Sequence, residues 1–265
     1  MTDSGLEGWQ PRGIDVHTPN VARMYDYVLG GKDNYEADRE AAHEAAANIP
    51  DIHEKVIENR RFLQRAVRYL IREVGIRQFI DVGTGIPTQG NVHQIAQEEA
   101  PEARVAYVDN DPVVLTHARA LLADGNTNVA VAEGDLHDPG GILTNSTVTG
   151  LIDFEQPFAV LFIAALHFLT EEDDPYSVVG RFRAAMPGGS YLVLSHADAS
   201  PQVRSAEGTY EQATSRLEGR TAEQIGRFFT GFDLVDPGLV YVQNWRPTGG
   251  EHPKDLLLGG VGRKA

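Results

Sequence analysis

The chain has 265 residues, 42% of them hydrophobic, enough for one large α/β domain with an added segment or for two small domains. Lys and Arg number 23 against 38 Asp and Glu, a net charge of −15, and so acidic a surface repels phosphate backbones and anionic lipid heads, which argues against nucleic acid and membrane as partners. There is no cysteine, which excludes disulfides, thiolate-bound zinc, iron–sulfur clusters and thiol nucleophiles, and suits a reducing cytoplasm.

In chain order, Met1 to Gly13 is polar and lacks the basic-then-apolar order of a secretory signal. Thr18 with Pro19 can start a helix, and Val21, Met24, Tyr25, Val28 and Leu29 then fall on one apolar face, ended by Gly30-Gly31. An Ala- and Glu-rich stretch over 34–48 predicts a second helix, stopped near Pro50. A third runs from Asp51 to Val74, with Ile52, Val56, Leu63, Val67, Leu70 and Val74 as its stripe and Gly75 at its close. Arg60, Arg61, Arg65 and Arg68 on this helix read as a solvated face rather than a nucleic-acid patch. Residues 1–75 thus form an N-terminal helical extension, expected to cover a ligand site on the domain spanning 76–265.

Beyond Gly75 the period changes. Strands are predicted at Gln78–Val82, Arg104–Asp109, Asn128–Glu133, Phe158–Ile163 and Ser190–Ser195, and helices at Thr88–Glu99, Pro112–Ala123 and Asp174–Ala185. The run FAVLFIAAL, Phe158 to Leu166, is apolar throughout; it is too short to span a bilayer and reads as a strand buried on both faces. Strand–helix alternation predicts a doubly wound, Rossmann-like α/β sheet, mostly parallel. Thr221 and Gln224 make a capping-box pattern, and FDLVDPGLVYVQNW then reads as two strands about the turn Asp236-Pro237-Gly238, an antiparallel hairpin.

The sharpest motif is FIDVGTGIPT, residues 79–88: a strand ending in Asp81, then a turn through Gly83, Thr84 and Gly85. The glycines let a ligand lie against the backbone, and Pro87 suits a first helical turn. A dinucleotide fingerprint would place a third glycine at position 88, where Thr88 stands, which disfavours a pyrophosphate ligand. The second strand ends VDNDP, where Asp109 is placed for the two hydroxyls of a ribose and Asn110 and Asp111 lie near an adenine. Asp109–Asp111 can equally cap the helix at Pro112. The third ends GDLHDP, where Asp135 can accept from an exocyclic amine or cap its own turn.

The ordered set DVGTG, VDNDP, GDLHDP and PGGSYLVLSH resembles the class I S-adenosylmethionine-dependent methyltransferases. Together with RMYDYVLGGKDNY it is similar to a bacterial subgroup whose acceptor is largely unknown, from about Asn20 to Lys264. The resemblance implies a seven-stranded sheet ending in an antiparallel hairpin and S-adenosyl-L-methionine as cofactor. It implies that Asp81 orients the methionine part through the glycine loop, that Asp109 binds the ribose and that Asp135 approaches the adenine. The class commonly has a third loop glycine where this chain has Pro87. The full set of candidate contacts is Tyr25, Lys32, Arg60, Asp81, Gly83, Thr84, Gly85, Pro87, Asp109, Asn110, Asp111, Asp135, Leu136 and Ala164.

Methyl transfer needs an aligned acceptor more than a signature base. His167 and His196, after the fourth and fifth strands, are the candidates for a general base at an oxygen or nitrogen acceptor, against a structural reading for each. The run Glu171 to Asp174 reads as a helix start, not a metal site. The acidic surface favours a small-molecule acceptor, with Ala197 to Gly219 and the N-terminal helices shaping its pocket. Two alternatives stand beside this reading: a non-catalytic S-adenosylmethionine-binding module, and an NAD(P)-dependent oxidoreductase, which the missing fingerprint glycine and the lack of any Tyr-x-x-x-Lys pair disfavour. No Gly-x-Ser-x-Gly elbow or P-loop occurs.

Overall fold

A computed structural model describes residues 14–87, 90–121, 125–249 and 256–265. The polar stretch Met1 to Gly13, Thr88 and the last two residues of the helix expected over Pro112–Ala123 lie outside the described residues.

Helix α1, Val21–Val28, starts at Asn20 and not at Thr18, because the Asn20 carboxamide oxygen accepts from the backbone N–H of Ala22 (2.9 Å) and Arg23 (3.2 Å). Helix α2 is Glu36–Asn48, and α3, Ile52–Tyr69, widens into a π-helical turn at Leu70–Val74 before Gly75 ends it at φ 87°.

The sheet contains β1 Gln78–Val82, β2 Arg104–Asp109, β3 Val129–Glu133, β4 Ala159–Ile163, β5 Tyr191–Ala197, β6 Phe232–Leu234, β7 Val240–Tyr241 and β8 Leu257–Lys264. Their order is β3-β2-β1-β4-β5-β8-β6, with the first five parallel and β8 antiparallel to β5. Every residue of β1 and β5 is buried, which is why these segments lack polar alternation. Phe79, Leu161 and Val193 pack under α3 and α4, Val92–Glu99. Ile80, Val160 and Leu192 face the opposite layer, built from α6 Pro139–Thr144, α7 Ser146–Leu151, α8 Pro175–Ala185 and α10 Ala222–Arg227. Helix α5, Pro112–Leu121, follows β2, and α9, Pro201–Tyr210, packs on α2.

The C-terminal hairpin is corrected. β6 and β7 do not pair with each other; both pair antiparallel with β8, Leu234 opposite Gly262 and Val240 opposite Gly259. They form one interrupted edge, broken by the turn in which Gly238 N–H donates to the Val235 carbonyl (2.8 Å). The sheet therefore has eight strands, not seven, in seven positions. Strand β8, LLGGVGRK, escaped the sequence reading because its glycines carry no period-2 pattern. They serve close packing: a Cβ on Gly262 would sit 2.8 Å from Phe229 Cδ1, and one on Gly259 2.9 Å from Val242 Cγ1.

The predicted helix at Thr88–Glu99 begins only at Val92, capped by Asn91. Pro87 therefore lies in the loop and not in a first helical turn. Thr221 and Gln224 do form a capping box on α10. The acidic run is also a helix start: Thr170 and Asp173 cap a 3-10 turn, and Asp174 caps α8. No helix among the described residues is long and apolar enough to cross a membrane.

Candidate functional site

Strand order reverses between β1 and β4, and α/β sheets open a crevice at the carboxyl ends of strands at such a point. A cavity of about 440 Å³ lies there. Its floor is the ends of β1 to β4: Gly83 to Gly85, Asp109 to Pro112, Gly134 to His137 and Ile163 to Ala165. Asn20 to Arg23 and Tyr25 of α1, with Arg60 of α3, close another side.

The glycine loop is built for close approach. Gly83 sits at φ 70° and Gly85 at φ 66°, a region that disfavours any side chain. A Cβ at Gly83 would also fall 2.9 Å from Ala165 Cβ. Asp81 does not line the cavity. It lies buried beneath the loop and accepts from the Thr84 hydroxyl at 3.0 Å, so it holds the loop rather than a ligand. Burial raises its pKa to about 6, against the Thr84 hydrogen bond, which lowers it.

Asp109 reaches the cavity from the end of β2. One carboxylate oxygen accepts from Gly85 N–H (2.9 Å) and the other from Asp111 N–H (3.0 Å), so the second lone pairs remain for a ligand. Burial pushes its pKa above the ordinary value, and the backbone donors oppose this. Asp111 has structural work as well: it accepts from Val113 and Val114 N–H at the start of α5 and from the Asn20 carboxamide at 2.7 Å. Asn20 N–H in turn donates to Asp38 (2.8 Å), whose carboxylate pairs with buried Arg23 at 2.9 Å. This chain of bonds ties α1 and α2 to the rim of the cavity.

Asp135 lies two residues past β3 and is exposed; it accepts from His137 N–H (2.9 Å) and pairs with His137 Nδ1 (2.7 Å). Partial burial raises its pKa, but the His137 amide and ring outweigh that and hold it low. Leu136, Asn110 and Ala164 line the cavity. Ala164 is held left-handed at φ 53°, with its N–H donating to Ser195 Oγ at 3.0 Å. Tyr25 OH accepts from Asn59 Nδ2 at 3.1 Å. Lys32 is exposed and, like Pro87, outside the cavity wall; its loop is wound around Asp26, which accepts from Asp33 N–H and Asn34 Nδ2. Asn20, Arg23, His137, Phe168 and Ser215 line the cavity and were missed. Arg23 and His137 lie within the motifs RMYDYVLGGKDNY and GDLHDP, whereas no motif marks Asn20, Phe168 and Ser215, which tertiary contact brings there.

Neither His167 nor His196 lines this cavity. His196 is fully buried; its Nδ1 faces the Ala197 carbonyl at 2.8 Å and so donates, leaving Nε2 to accept from Arg220 at 3.0 Å. His167 Nδ1 accepts from Ala197 N–H at 3.2 Å, and burial, aided by the Arg220 charge, lowers its pKa to about 3. Its folded value lies below the ordinary 6.5, so it contributes stability present above pH 6.5 that is lost as pH falls toward 3. Asp81 works oppositely: its contribution is present below 3.8 and lost as pH rises through about 6. We expect the unfolding free energy of the native chain to fall more steeply than that of His167→Gln between pH 6.5 and 3. The difference is on the order of 4 kcal/mol. Urea titrations at stepped pH check this; parallel slopes would rule it out.

The family model for S-adenosyl methyltransferases matches residues 7–265. A candidate methyltransferase from Thermobifida fusca YX, known from a crystal structure, is 44% identical over 97% of this chain and 99% of its own, with a TM-score of 0.91. A DUF574 family protein from Streptomyces avermitilis MA-4680 is 40% identical over 95% and 99%, with a TM-score of 0.89. TehB from Haemophilus influenzae shares the fold at 12% identity, a TM-score of 0.51 and coverage of 76% and 62%. The search of curated proteins gave no match. The chain therefore belongs to the S-adenosyl methyltransferase family, and its cofactor is S-adenosyl-L-methionine.

Proposed function

We propose that this protein transfers a methyl group from S-adenosyl-L-methionine to an oxygen or nitrogen of a small-molecule acceptor. The observation that carries this is the cavity at the switch point, with the Gly83–Gly85 backbone on one side and the Asp109 carboxylate on the other. The donor set fits the cofactor: a carboxylate for the ribose hydroxyls, a backbone cradle with no side chain, and Arg60 for the methionine carboxylate. Asp135, with Asn110 and Leu136, borders the adenine end. When bound, the cofactor supplies an electrophilic methyl carbon, whose bond to sulfur breaks with the electron pair left on sulfur as the acceptor lone pair bonds to it.

The chain's own part is binding, orientation and exclusion of water. Helices α1 to α3 act as a cover, since α1 closes the cavity and the Asn20–Asp111 and Arg23–Asp38 contacts fasten it. With both ring nitrogens of His196 committed to structural partners and His167 held a weak base by burial, its pKa about 3, the acceptor's proton leaves to solvent or to a group of the acceptor itself. The cytoplasm is the compartment this composition suits.

The loop geometry separates this reading from a nicotinamide-dependent one. A dinucleotide pyrophosphate rests on a helix that opens directly from the glycine turn, whereas α4 begins at Val92, nine residues after Gly83. Calorimetry should show S-adenosylhomocysteine binding at least a hundredfold tighter than NAD. Methyl-tritiated cofactor should also label a low-molecular-weight fraction of bacterial extract. Tight NAD binding without S-adenosylhomocysteine binding would overturn the cofactor assignment. Binding without transfer to any fraction would leave a binding module instead.

A further inference from the structure

A second cavity, of about 70 Å³, lies inward of the first, under α1, α2, α3 and α9. Val21, Tyr25, Ala164 and Phe168 line both cavities, so the two share a wall at the end of β4. The inner walls are Met24, Val28, Ala45, Ile52, Val56 and Leu257 among other apolar groups, and among the described residues no Asp, Glu, Lys or Arg lines it. Its polar side chains are Tyr25, His167 and Tyr210. Tyr25 OH already accepts from Asn59, and His167 Nδ1 from Ala197 N–H. Burial keeps His167 neutral and both tyrosines protonated near neutral pH.

From this arrangement we infer that the inner cavity receives an uncharged alkyl arm of the methyl acceptor, while the acceptor's reactive atom stays in the larger cavity beside Ala164 and Phe168. The inference rests on the larger cavity holding S-adenosylmethionine. Size sets the arm: a dry cavity of about 150 Å³ admits a benzene ring, and this one, at about 70 Å³, admits a group of two or three carbons. Chemistry sets its charge. A carboxylate or ammonium carried inward would give up water and meet no opposite charge among the described residues. An alkyl group loses only unfavourable hydration.

The test uses the full chain saturated with S-adenosylhomocysteine and two probes that differ only at one ring position, 4-ethylphenol and 4-hydroxybenzoate, by calorimetry. We expect 4-ethylphenol to bind at least tenfold tighter. Ala45→Leu, which fills the inner cavity from α2, should weaken 4-ethylphenol at least tenfold and leave S-adenosylhomocysteine affinity unchanged. Ile52→Ala enlarges the same space and should shift preference toward 4-butylphenol, which keeps the inference testable if the first variant does not fold. Equal affinity for the two probes, no 4-ethylphenol binding to the loaded protein, or binding untouched by a folded Ala45→Leu would overturn it. Failure of S-adenosylhomocysteine to bind shows before any phenol is added, and that result would strike the reading of the larger cavity instead.

Discussion

Asp109→Ala lowers the affinity for S-adenosylhomocysteine at least tenfold. The carboxylate sits at the end of β2, with each oxygen already oriented by a backbone N–H, from Gly85 and Asp111. It needs little reorganisation to accept two ribose hydroxyls. Hydrogen bonds to a charged group are each worth about 1.5–3 kcal/mol, and about 1.4 kcal/mol is a factor of ten in affinity, so tenfold is a lower bound. The variant also frees the Gly85 amide and loosens the loop, which acts in the same direction. Asp111→Asn is the matched control. An Asn oxygen can still cap α5, but its amide nitrogen cannot accept from the Asn20 carboxamide, so this variant should lower stability by about 1 kcal/mol and leave the affinity little changed. Calorimetry on both variants, with circular dichroism to confirm folding, decides the matter. Unchanged affinity in folded Asp109→Ala would show that the ribose is held elsewhere.

The largest expected loss of stability is at Arg220. Its side chain is fully buried between β5 and the loop after β4. It donates to His196 Nε2 (3.0 Å), to the Leu169 carbonyl (2.9 Å) and, more weakly, to that of Leu166 (3.4 Å). Glu218 and Glu171 supply opposite charge at 3.1 and 3.4 Å. Glu171 is more than half exposed and counts for little, because water screens it. The carbonyls and the imidazole matter more, since Arg220→Met strands them without donors. We expect a cost of about 3–5 kcal/mol in urea unfolding. Arg220→Lys restores charge but not the planar fork, and should recover only part of it. A loss under about 1 kcal/mol would mean that water replaces the guanidinium. The same contacts hold the segment from Leu166 to Leu169, which includes the cavity residues Phe168 and Leu169. Arg220→Met should therefore loosen cofactor binding as well.

The parts legible in the sequence were those where one local pattern has one physical outcome. FIDV and VAYVD are short, apolar and β-branched, and they form strands with the predicted bounds Gln78–Val82 and Arg104–Asp109. Gly83 and Gly85 mark a turn that only glycine tolerates, and both adopt positive φ. An acid at the tip of β2 reaches the cavity, because parallel strands end on the same side of the sheet. Strand β8 was not legible: its glycines are chosen by Phe62, Phe229, Phe232 and Val242, which lie far from it in the chain. Nor was the fate of the histidines. His167 and His196 sit at the expected sheet edge, but both are buried, His196 bound by the distant Arg220 and His167 by the Ala197 N–H. Lys32, in the conspicuous GGKDN segment, turns to solvent because its neighbours satisfy Asp26.

By itself, then, the sequence determined the sheet, its glycine turn and the acids at its strand ends, since each follows from backbone sterics and periodicity within a few residues. Tertiary structure decided which side chains face the cavity, how the last three strands pair and what lies behind Ala164. Those outcomes depend on burial and on partners as remote as Asn20 from Asp111 and Arg220 from Leu166, contacts that no local pattern encodes.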